Sequence, residues 1–149
     1  MGNKFSAALR ADGTVWTWGN NEYGQLGIND ESKKEVLSPV QVVMSNGQPL
    51  KDVKDIAAGD YFALALLKDG TVYAWGYNDG NGALGQGTGA RYNQHTPVQV
   101  KGVGGTGFLG DEKTGKIVSI SADYYSAVAV TEKGTAYAWG GNDYYKLGT

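Results

Sequence analysis

The segment Asp69-Gly-Thr-Val-Tyr-Ala-Trp-Gly76 decides the fold of this chain, because it occurs in three copies. The other two are Asp12-Gly-Thr-Val-Trp-Thr-Trp-Gly19 and Lys133-Gly-Thr-Ala-Tyr-Ala-Trp-Gly140. Self-similarity of this kind is the sequence signature of a repeat architecture. In each copy the second residue is glycine, and an Asp-Gly type of pair between two alternating runs predicts the turn of a β-hairpin. The chain is therefore predicted to contain a repeated series of hairpins.

The sequence on either side of each copy also repeats. Small and apolar residues alternate in the preceding stretches, at residues 5–10, 62–67 and 125–130. A period of two residues is that of a β-strand. The copies are followed by glycine-rich segments that end in Leu-Gly, at residues 19–27, 76–85 and 140–148. Since no helical periodicity of useful length occurs anywhere, the fold class is predicted to be all-β.

The composition excludes several kinds of site and partner. The 149 residues include 24 glycines, one histidine and no cysteine. Without cysteine the chain has no disulfide scaffold, no thiol nucleophile and no cysteine-ligated zinc. The net charge of −2 argues against a nucleic-acid partner, which needs a basic surface. No apolar run approaches the roughly 18 residues of a membrane span, and no signal peptide is visible, so the compartment is left unpredicted.

The order of these motifs resembles that of the regulator of chromosome condensation repeat family. The resemblance rests on Ile-Ala-Ala-Gly at 56–59, the Asp-Gly-Thr-Val-Tyr-Ala-Trp-Gly segment, a Gly-Gln-Leu-Gly turn at 24–27 and Pro-Val-Gln-Val at 39–42 and 97–100. It covers nearly the whole chain. It implies a β-propeller, commonly seven-bladed, in which each blade has four antiparallel strands.

Mapped onto that pattern, the chain holds about three blades, of which the first and last are incomplete. Residues 5–43 are expected to form a blade without its inner strand, 53–100 a complete blade, and 116–149 a blade without its outer strand. Such an open array leaves apolar faces in water. We therefore expect either a fragment of a longer propeller or a subunit that completes a six- or seven-bladed ring by self-association.

The resemblance also assigns structural roles and shows one departure from the family. The recurrent residues expected to support the blades are Trp18, Gly19, Gly59, Trp75, Gly76, Trp139 and Gly140. The family usually has histidine followed by serine after the inner strand, where this chain is aligned to have Phe5-Ser6, Phe62-Ala63 and Tyr125-Ser126. These aromatic residues, with Tyr61 and Tyr124 beside them, are interpreted either as packing of the blade corner or as a stacking surface.

A search for catalytic and metal-binding groups predicts no enzyme and no cofactor. His95 is expected on an exposed loop before an outer strand, and a single histidine cannot build a catalytic metal site. Asp60, Asp79, Asp123 and Asp143 are aligned at matching positions, and such recurrence favours turn formation over one catalytic pair. The glycines at 102–107 neither follow a buried strand nor open a helix, which excludes a nucleotide-binding loop.

The predicted function is that of a non-catalytic propeller scaffold for protein–protein interaction. Two alternatives stay open: a glycan-binding propeller of a bacterial surface, on which Tyr23, Tyr77, Tyr92, Tyr144 and Tyr145 would stack on sugars, and a guanine-nucleotide exchange module of the kind that the resemblance implies. Exposed loops are predicted at 29–35 and 101–116, where partners commonly bind. The candidate binding residues are Tyr61, Phe62, Tyr124, Tyr125, Phe108 and Tyr144.

Overall fold

The computed structural model of the protein describes residues 4–78, 82–87, 92–102 and 105–141. Within these ranges the chain forms ten β-strands and no α-helix, which confirms the all-β prediction. The strands are β1 (Phe5–Leu9), β2 (Val15–Asn20), β3 (Glu35–Gln41), β4 (Val53–Ala58), β5 (Phe62–Leu67), β6 (Val72–Gly76), β7 (Gln94–Gln99), β8 (Ile117–Asp123), β9 (Ser126–Thr131) and β10 (Ala136–Gly140).

The strands form three separate antiparallel sheets. The first sheet has the order β1-β2-β3, the middle sheet β4-β5-β6-β7 and the third sheet β8-β9-β10. Each predicted hairpin is present, and its turn follows from the chemistry of the Asp-Gly-Thr sequence. The carboxylate of Asp69 accepts hydrogen bonds from the backbone nitrogen of Thr71 at 3.0 Å and from its hydroxyl at 2.6 Å. Gly70 between them has a φ of +89°, a conformation that glycine adopts without strain.

The core lies between neighbouring sheets. Phe62, Leu64 and Leu66 of β5 are fully buried and pack with Ile117 and Ala127 of the third sheet. A second cluster joins Trp75 and Ala63 of the middle sheet to the first sheet, where it includes Phe5, Val15, Leu26 and Val42. The middle sheet therefore has both faces covered, because a neighbouring sheet packs on each side of it.

In the middle and third sheets, a tryptophan side chain contacts a loop of the preceding sheet. Trp75 Nε1 donates a hydrogen bond to the backbone carbonyl of Gln25 at 2.9 Å. Trp139 Nε1 donates in the same way to the carbonyl of Ala83, also at 2.9 Å. Both acceptors lie in the Leu-Gly loops that the sequence repeats, so the recurring tryptophan and the recurring loop are the two sides of one contact.

The strands have two distinct ends, which carry different turns. One end carries the β4–β5 turn at residues 59–61, the β8–β9 turn at 124–125, and the loop 21–34 that follows β2. We call it the tyrosine end. The hairpin end is the opposite one, with the turns at 10–14, 68–71 and 132–135. The connection 100–116 also lies at the hairpin end, because β7 pairs there through Gln99 with Tyr73 of β6.

Candidate interaction surface

Four tyrosines from all three sheets meet at the tyrosine end, and we call Tyr23, Tyr61, Tyr77 and Tyr125 the tyrosine cluster. The ring of Tyr23 stands edge-on to Tyr61 and Tyr77, with centroids 5.3 and 4.9 Å apart. Tyr61 lies nearly parallel to Tyr125, with centroids 6.2 Å apart and planes 22° from each other. Tyr77 also contacts Tyr125 at 5.4 Å. Aromatic rings at these separations attract one another beyond their burial, so the cluster joins three sheets in one array.

The strand register explains why tyrosines of different sheets meet. Phe5, Phe62 and Ser126 begin the first or second strand of their sheets and pair with the glycines Gly19, Gly76 and Gly140. The residues directly before them are therefore equivalent positions, and these are Lys4, Tyr61 and Tyr125. Equivalent positions of adjacent sheets lie side by side, so neighbouring members of this row come into contact.

The backbone at these positions repeats as well. The carbonyls of Lys4 and Tyr61 each accept a hydrogen bond, at 2.9 Å, from the nitrogens of Asn20 and Tyr77, and the carbonyl of Tyr125 accepts one from Gly141 at 2.8 Å. The glycine before each donor must lack a side chain: a Cβ on Gly76, whose φ is +108°, would collide with the Tyr61 carbonyl oxygen. The Trp-Gly motif thus fixes the backbone that carries the row.

This register corrects the sequence alignment by one residue. Tyr125 was aligned with Phe62, but its equivalent is Tyr61, and the residue equivalent to Phe62 is Ser126. The β4–β5 and β8–β9 turns have the same length, since Gly59 bonds to Phe62 as Asp123 pairs with Ser126, so the error came from matching aromatic residues by type. Asp60 is accordingly equivalent to Tyr124, so its supposed match with Asp123 is wrong; Asp79 and Asp143 lie outside the described residues.

The cluster contains charged groups at its border. Lys4 Nζ lies 5.8 Å from the centroid of the Tyr61 ring, over its face. Burial raises the pKa of the Tyr125 hydroxyl, and the neighbouring Tyr61, Tyr77, Asp60 and Tyr23 raise it further. A negative charge nearby disfavours a phenolate, which is why Asp60 acts in this direction. The Tyr125 hydroxyl therefore stays protonated at physiological pH.

The predicted binding residues have different positions in the structure. Tyr61 and Tyr125 belong to the tyrosine cluster and are half-buried, while Tyr124 beside them is 54% exposed. Phe62 is fully buried in the core, so it cannot contact a partner and its place among the binding residues is wrong. Phe108 is 45% exposed but lies at the hairpin end, in the 100–116 connection. Tyr144 and Tyr145 lie outside the described residues.

The sequence alone does not show that Tyr23, Tyr77 and Lys4 lie beside Tyr61. Tyr23 and Tyr77 were considered only as separate sugar-stacking residues, together with Tyr92, which is 82% exposed and belongs to none of the ring pairs. The sequence does carry a signal for Tyr77, because this residue directly follows the Trp75-Gly76 pair. The residue after each Trp-Gly pair bonds to the position that Tyr61 occupies in the middle sheet. For Tyr23 there is no such signal, since its contact depends on how two sheets pack.

His95 is placed differently from its prediction. It lies within β7, its side chain is 16% exposed, and its buried Nδ1 atom has no hydrogen-bond partner among the described residues. The ring contacts the backbone of Gly24 in the first sheet's loop, and Nε2 is 4.0 Å from a carboxylate oxygen of Glu31. Among the described residues no three histidine, cysteine, aspartate or glutamate side chains are grouped to hold a metal ion.

An open cavity of about 360 Å³ lies at the hairpin end between the 42–52 connection and the middle sheet. Met44, Leu50, Leu67 and Tyr73 line it, together with Lys51 and Asp52. It contains neither a nucleophile paired with a base nor a cluster of carboxylates.

No helix in the described part of the chain is long and apolar enough to cross a membrane.

Adjacent antiparallel sheets of three or four strands, joined by tryptophans and Leu-Gly loops, define a segment of a β-propeller. Comparison with known families identifies which one. The model of the regulator of chromosome condensation (RCC1) repeat matches residues 12–66 and 69–130, and a second model of that repeat matches 53–83 and 117–146. The chain therefore belongs to the RCC1 repeat family, as its motifs predicted.

Relatives and solved structures agree with this assignment. The chain is 30% identical over 144 residues to the human E3 ubiquitin-protein ligase HERC2. This alignment covers 95% of the chain and 3% of HERC2. It is 29% identical over 148 residues to the ultraviolet-B receptor UVR8 of Arabidopsis thaliana, over 99% of the chain and 30% of the receptor. The chain thus spans under a third of the curated relatives that it matches here.

The yeast protein Prp20 has the same fold over the whole chain. Its structure from Saccharomyces cerevisiae, described with its binding properties to Gsp1p and histones, superposes with a TM-score of 0.78 at 29% identity and covers 100% of this chain and 33% of Prp20. A second structure of yeast RCC1 (Prp20), bound to Kap60, gives 0.78 at 25% identity, over 99% of this chain and 32% of that one. These neighbours confirm the partial β-propeller.

Proposed function

We propose that this chain is a non-catalytic propeller segment that binds another protein through its tyrosine end. The observation that carries the proposal is the tyrosine cluster, in which three sheets present four half-buried rings on one surface. Tyrosine is enriched in protein interfaces and in their energetic centres, because it offers apolar area and a hydroxyl with few rotatable bonds. Held between sheets, these rings lose little entropy on binding.

The similarity to Prp20 supports a protein as the partner. That protein is described bound to Kap60, and with binding properties to Gsp1p and histones. Four described aspartates hold turns: Asp12, Asp30, Asp69 and Asp111 each accept a hydrogen bond from a backbone nitrogen two or three residues away. An interaction module is therefore the function that these residues support best.

We further propose that the three sheets are one complete blade and two partial blades, and that a further blade packs beside the first. Trp18 is equivalent to Trp75 and Trp139, yet within the described residues its indole nitrogen makes no hydrogen bond. A Leu-Gly loop of another blade would supply the acceptor, from a longer chain or from a second copy. The molar mass of the purified chain by light scattering distinguishes these sources.

The interaction is tested by comparative capture. The wild-type chain, a Tyr61→Leu/Tyr125→Leu variant and a Phe108→Leu control are immobilised, and proteins retained from extracts of the source cells are quantified by mass spectrometry. We expect proteins that the wild type and the control retain equally and that the tyrosine variant loses. Equal retention by all three preparations, or loss with the Phe108 variant alone, would refute the tyrosine end as the binding surface. Adding small GTPases to the same preparations tests nucleotide exchange directly.

A further inference from the structure

We propose that the tyrosine cluster binds a cationic side chain, an arginine or lysine of the partner protein, against the faces of its rings. This inference rests on the proposed protein-binding function and names the chemistry of the partner. A cation within about 6 Å of a tyrosine centroid is attracted by the negative face of the ring, most strongly where water is partly excluded. The four rings of the cluster are half-buried, so water is partly excluded from them.

The chain itself already places one cation in this site. Lys4 occupies the position equivalent to Tyr61 and Tyr125, and its Nζ lies 5.8 Å from the Tyr61 centroid. The row therefore accepts an ammonium group on one ring, at the distance expected of a cation–π contact. A basic side chain of a partner would extend this arrangement over the remaining rings, with Lys4 as its competitor for Tyr61.

The charges around the cluster favour a basic partner as well. Carboxylates stand directly beside its tyrosines in sequence: Glu22 precedes Tyr23, Asp60 precedes Tyr61, and Asp123 lies two residues before Tyr125. Glu22 and Asp123 are exposed, and Asp60 is close enough to raise the pKa of Tyr125. With the loop 21–34 included, the described residues of this end hold the acids Glu22, Asp30, Glu31, Asp60 and Asp123 against the bases Lys4, Lys33 and Lys34. The resulting negative potential attracts cations and repels acidic segments.

The geometry keeps the rings ready for such a ligand. The hydrogen bond from the Tyr77 nitrogen to the Tyr61 carbonyl, at 2.9 Å, fixes two of the four tyrosines relative to each other. The hydrogen bond from the Asp60 nitrogen to the Tyr124 carbonyl, also at 2.9 Å, links the turns of the middle and third sheets. Because the backbone of the row is fixed by the sheets, the rings need little reorganisation on binding.

The test uses two peptides of nearly the same shape, one cationic and one neutral. Ac-Gly-Arg-Gly-Arg-Gly-Arg-Gly-amide and the same peptide with citrulline in place of arginine are titrated into the 149-residue chain, and binding is followed by NMR. Citrulline has nearly the shape of arginine but is neutral, because a carbonyl oxygen replaces one of the three guanidinium nitrogens. We expect the arginine peptide to bind at least about fivefold more tightly, since a cation–π contact requires the charge.

Variants locate the binding site. Tyr61→Leu is expected to weaken arginine-peptide binding about threefold, whereas Tyr61→Phe keeps the ring and most of the affinity. Lys4→Ala is expected to strengthen binding about twofold, because it frees a ring face and removes a like charge. If Lys4 only supported the fold, its removal would not strengthen peptide binding. Phe108→Leu, at the hairpin end, should leave binding unchanged.

Two results would overturn the inference: equal binding of the arginine and citrulline peptides, or a Lys4→Ala variant that binds more weakly than the wild type. If the arginine peptide fails while the capture experiment still depends on Tyr61 and Tyr125, the partner is not recognised through a cation, and the proposed function stands. If the capture fails as well, both are refuted. Thermal unfolding of each variant confirms that it is folded.

Discussion

The indole nitrogen of Trp75 donates a hydrogen bond of 2.9 Å to the carbonyl of Gln25, across the boundary between the middle and first sheets. Trp75 is fully buried, and so its bond closes the Leu-Gly loop of the first sheet over the core. The corresponding bond from Trp139 to Ala83 joins the third sheet to the middle one. The packing of adjacent sheets therefore includes a hydrogen bond whose two partners both recur in the sequence. The donor is the tryptophan of the Trp-Gly pair, and the acceptor is a backbone carbonyl of the Leu-Gly loop.

Replacing Trp75 by phenylalanine should destabilise the protein. The substitution leaves the buried Gln25 carbonyl without its donor and creates a small cavity, and together these cost about 2–4 kcal/mol of the free energy of unfolding. Trp18→Phe is the matched control, since Trp18 is only half-buried and has no such acceptor among the described residues. Urea unfolding of both variants measures the difference. Equal losses would show that the hydrogen bond between sheets contributes nothing.

Gly27 tests the other side of the same contact. A Cβ at this position would lie 2.9 Å from Val42 Cγ1 and 3.0 Å from Trp75 Cδ1, and the residue has a φ of +62°. Gly27→Ala is expected to cost about 2–4 kcal/mol, from backbone strain and overpacking together. Gly47, with a φ of +83° and no atom within 4 Å of a Cβ, isolates the backbone contribution, so that Gly47→Ala should cost only about 1 kcal/mol. Similar losses of unfolding free energy in the two variants would mean that the Trp75 indole moves aside at no energetic cost.

The Asp69 turn makes a pH-dependent contribution to stability. The hydroxyl of Thr71 donates to the Asp69 carboxylate and holds its pKa below the ordinary value, with a smaller contribution from the Thr71 backbone nitrogen. A lowered pKa in the folded state means that this stabilisation is present above the unfolded pKa and is lost as the pH falls through the folded one. Thr71→Val should raise the pKa of Asp69, as followed by NMR of the carboxyl carbon. Asp12, in the equivalent turn, serves as the internal control and should titrate as before.

At high pH the tyrosine cluster should have the opposite effect. Burial raises the pKa of Tyr125, with Tyr61, Tyr77, Asp60 and Tyr23 adding to the shift. Because the folded pKa is raised, stability is complete below the unfolded value of about 10 and declines as the pH rises through the folded one. We expect Tyr125→Phe to reduce the fall in unfolding free energy between pH 9 and 11. Identical slopes for the variant and the wild type would contradict this account of the cluster.

Local motifs predicted the fold because each of them determines its own backbone. The Asp-Gly-Thr turns and the Trp-Gly pairs act within a few residues, and so three hairpins could be identified from the sequence alone. The first error arose where residue type and register disagree. Tyr125 resembles Phe62 in kind, but the hydrogen-bond ladder makes it the equivalent of Tyr61. An aromatic side chain by itself does not show on which side of the turn it lies.

The tyrosine cluster could be predicted only in part. Tyr61 and Tyr125 stand at the corners of their sheets, where an aromatic surface was considered. Their contact with Tyr23 depends on the angle and distance between two sheets, which no local pattern encodes. The same holds for Lys4, whose position over Tyr61 follows from the equivalence of the two residues in adjacent sheets. Phe62 was misplaced because the core and the surface are only one residue apart in this turn.

Site-specific photo-crosslinking tests the central claim, that the tyrosine end is the binding surface, most directly. p-Benzoylphenylalanine is introduced at Glu22, beside the cluster, or at Phe108, at the hairpin end, and each chain is irradiated in extracts of the source cells. The account predicts a discrete crosslinked protein from position 22 that Tyr61→Leu/Tyr125→Leu abolishes, and none from position 108. A crosslinked partner from position 108 alone, or from neither position, would contradict it.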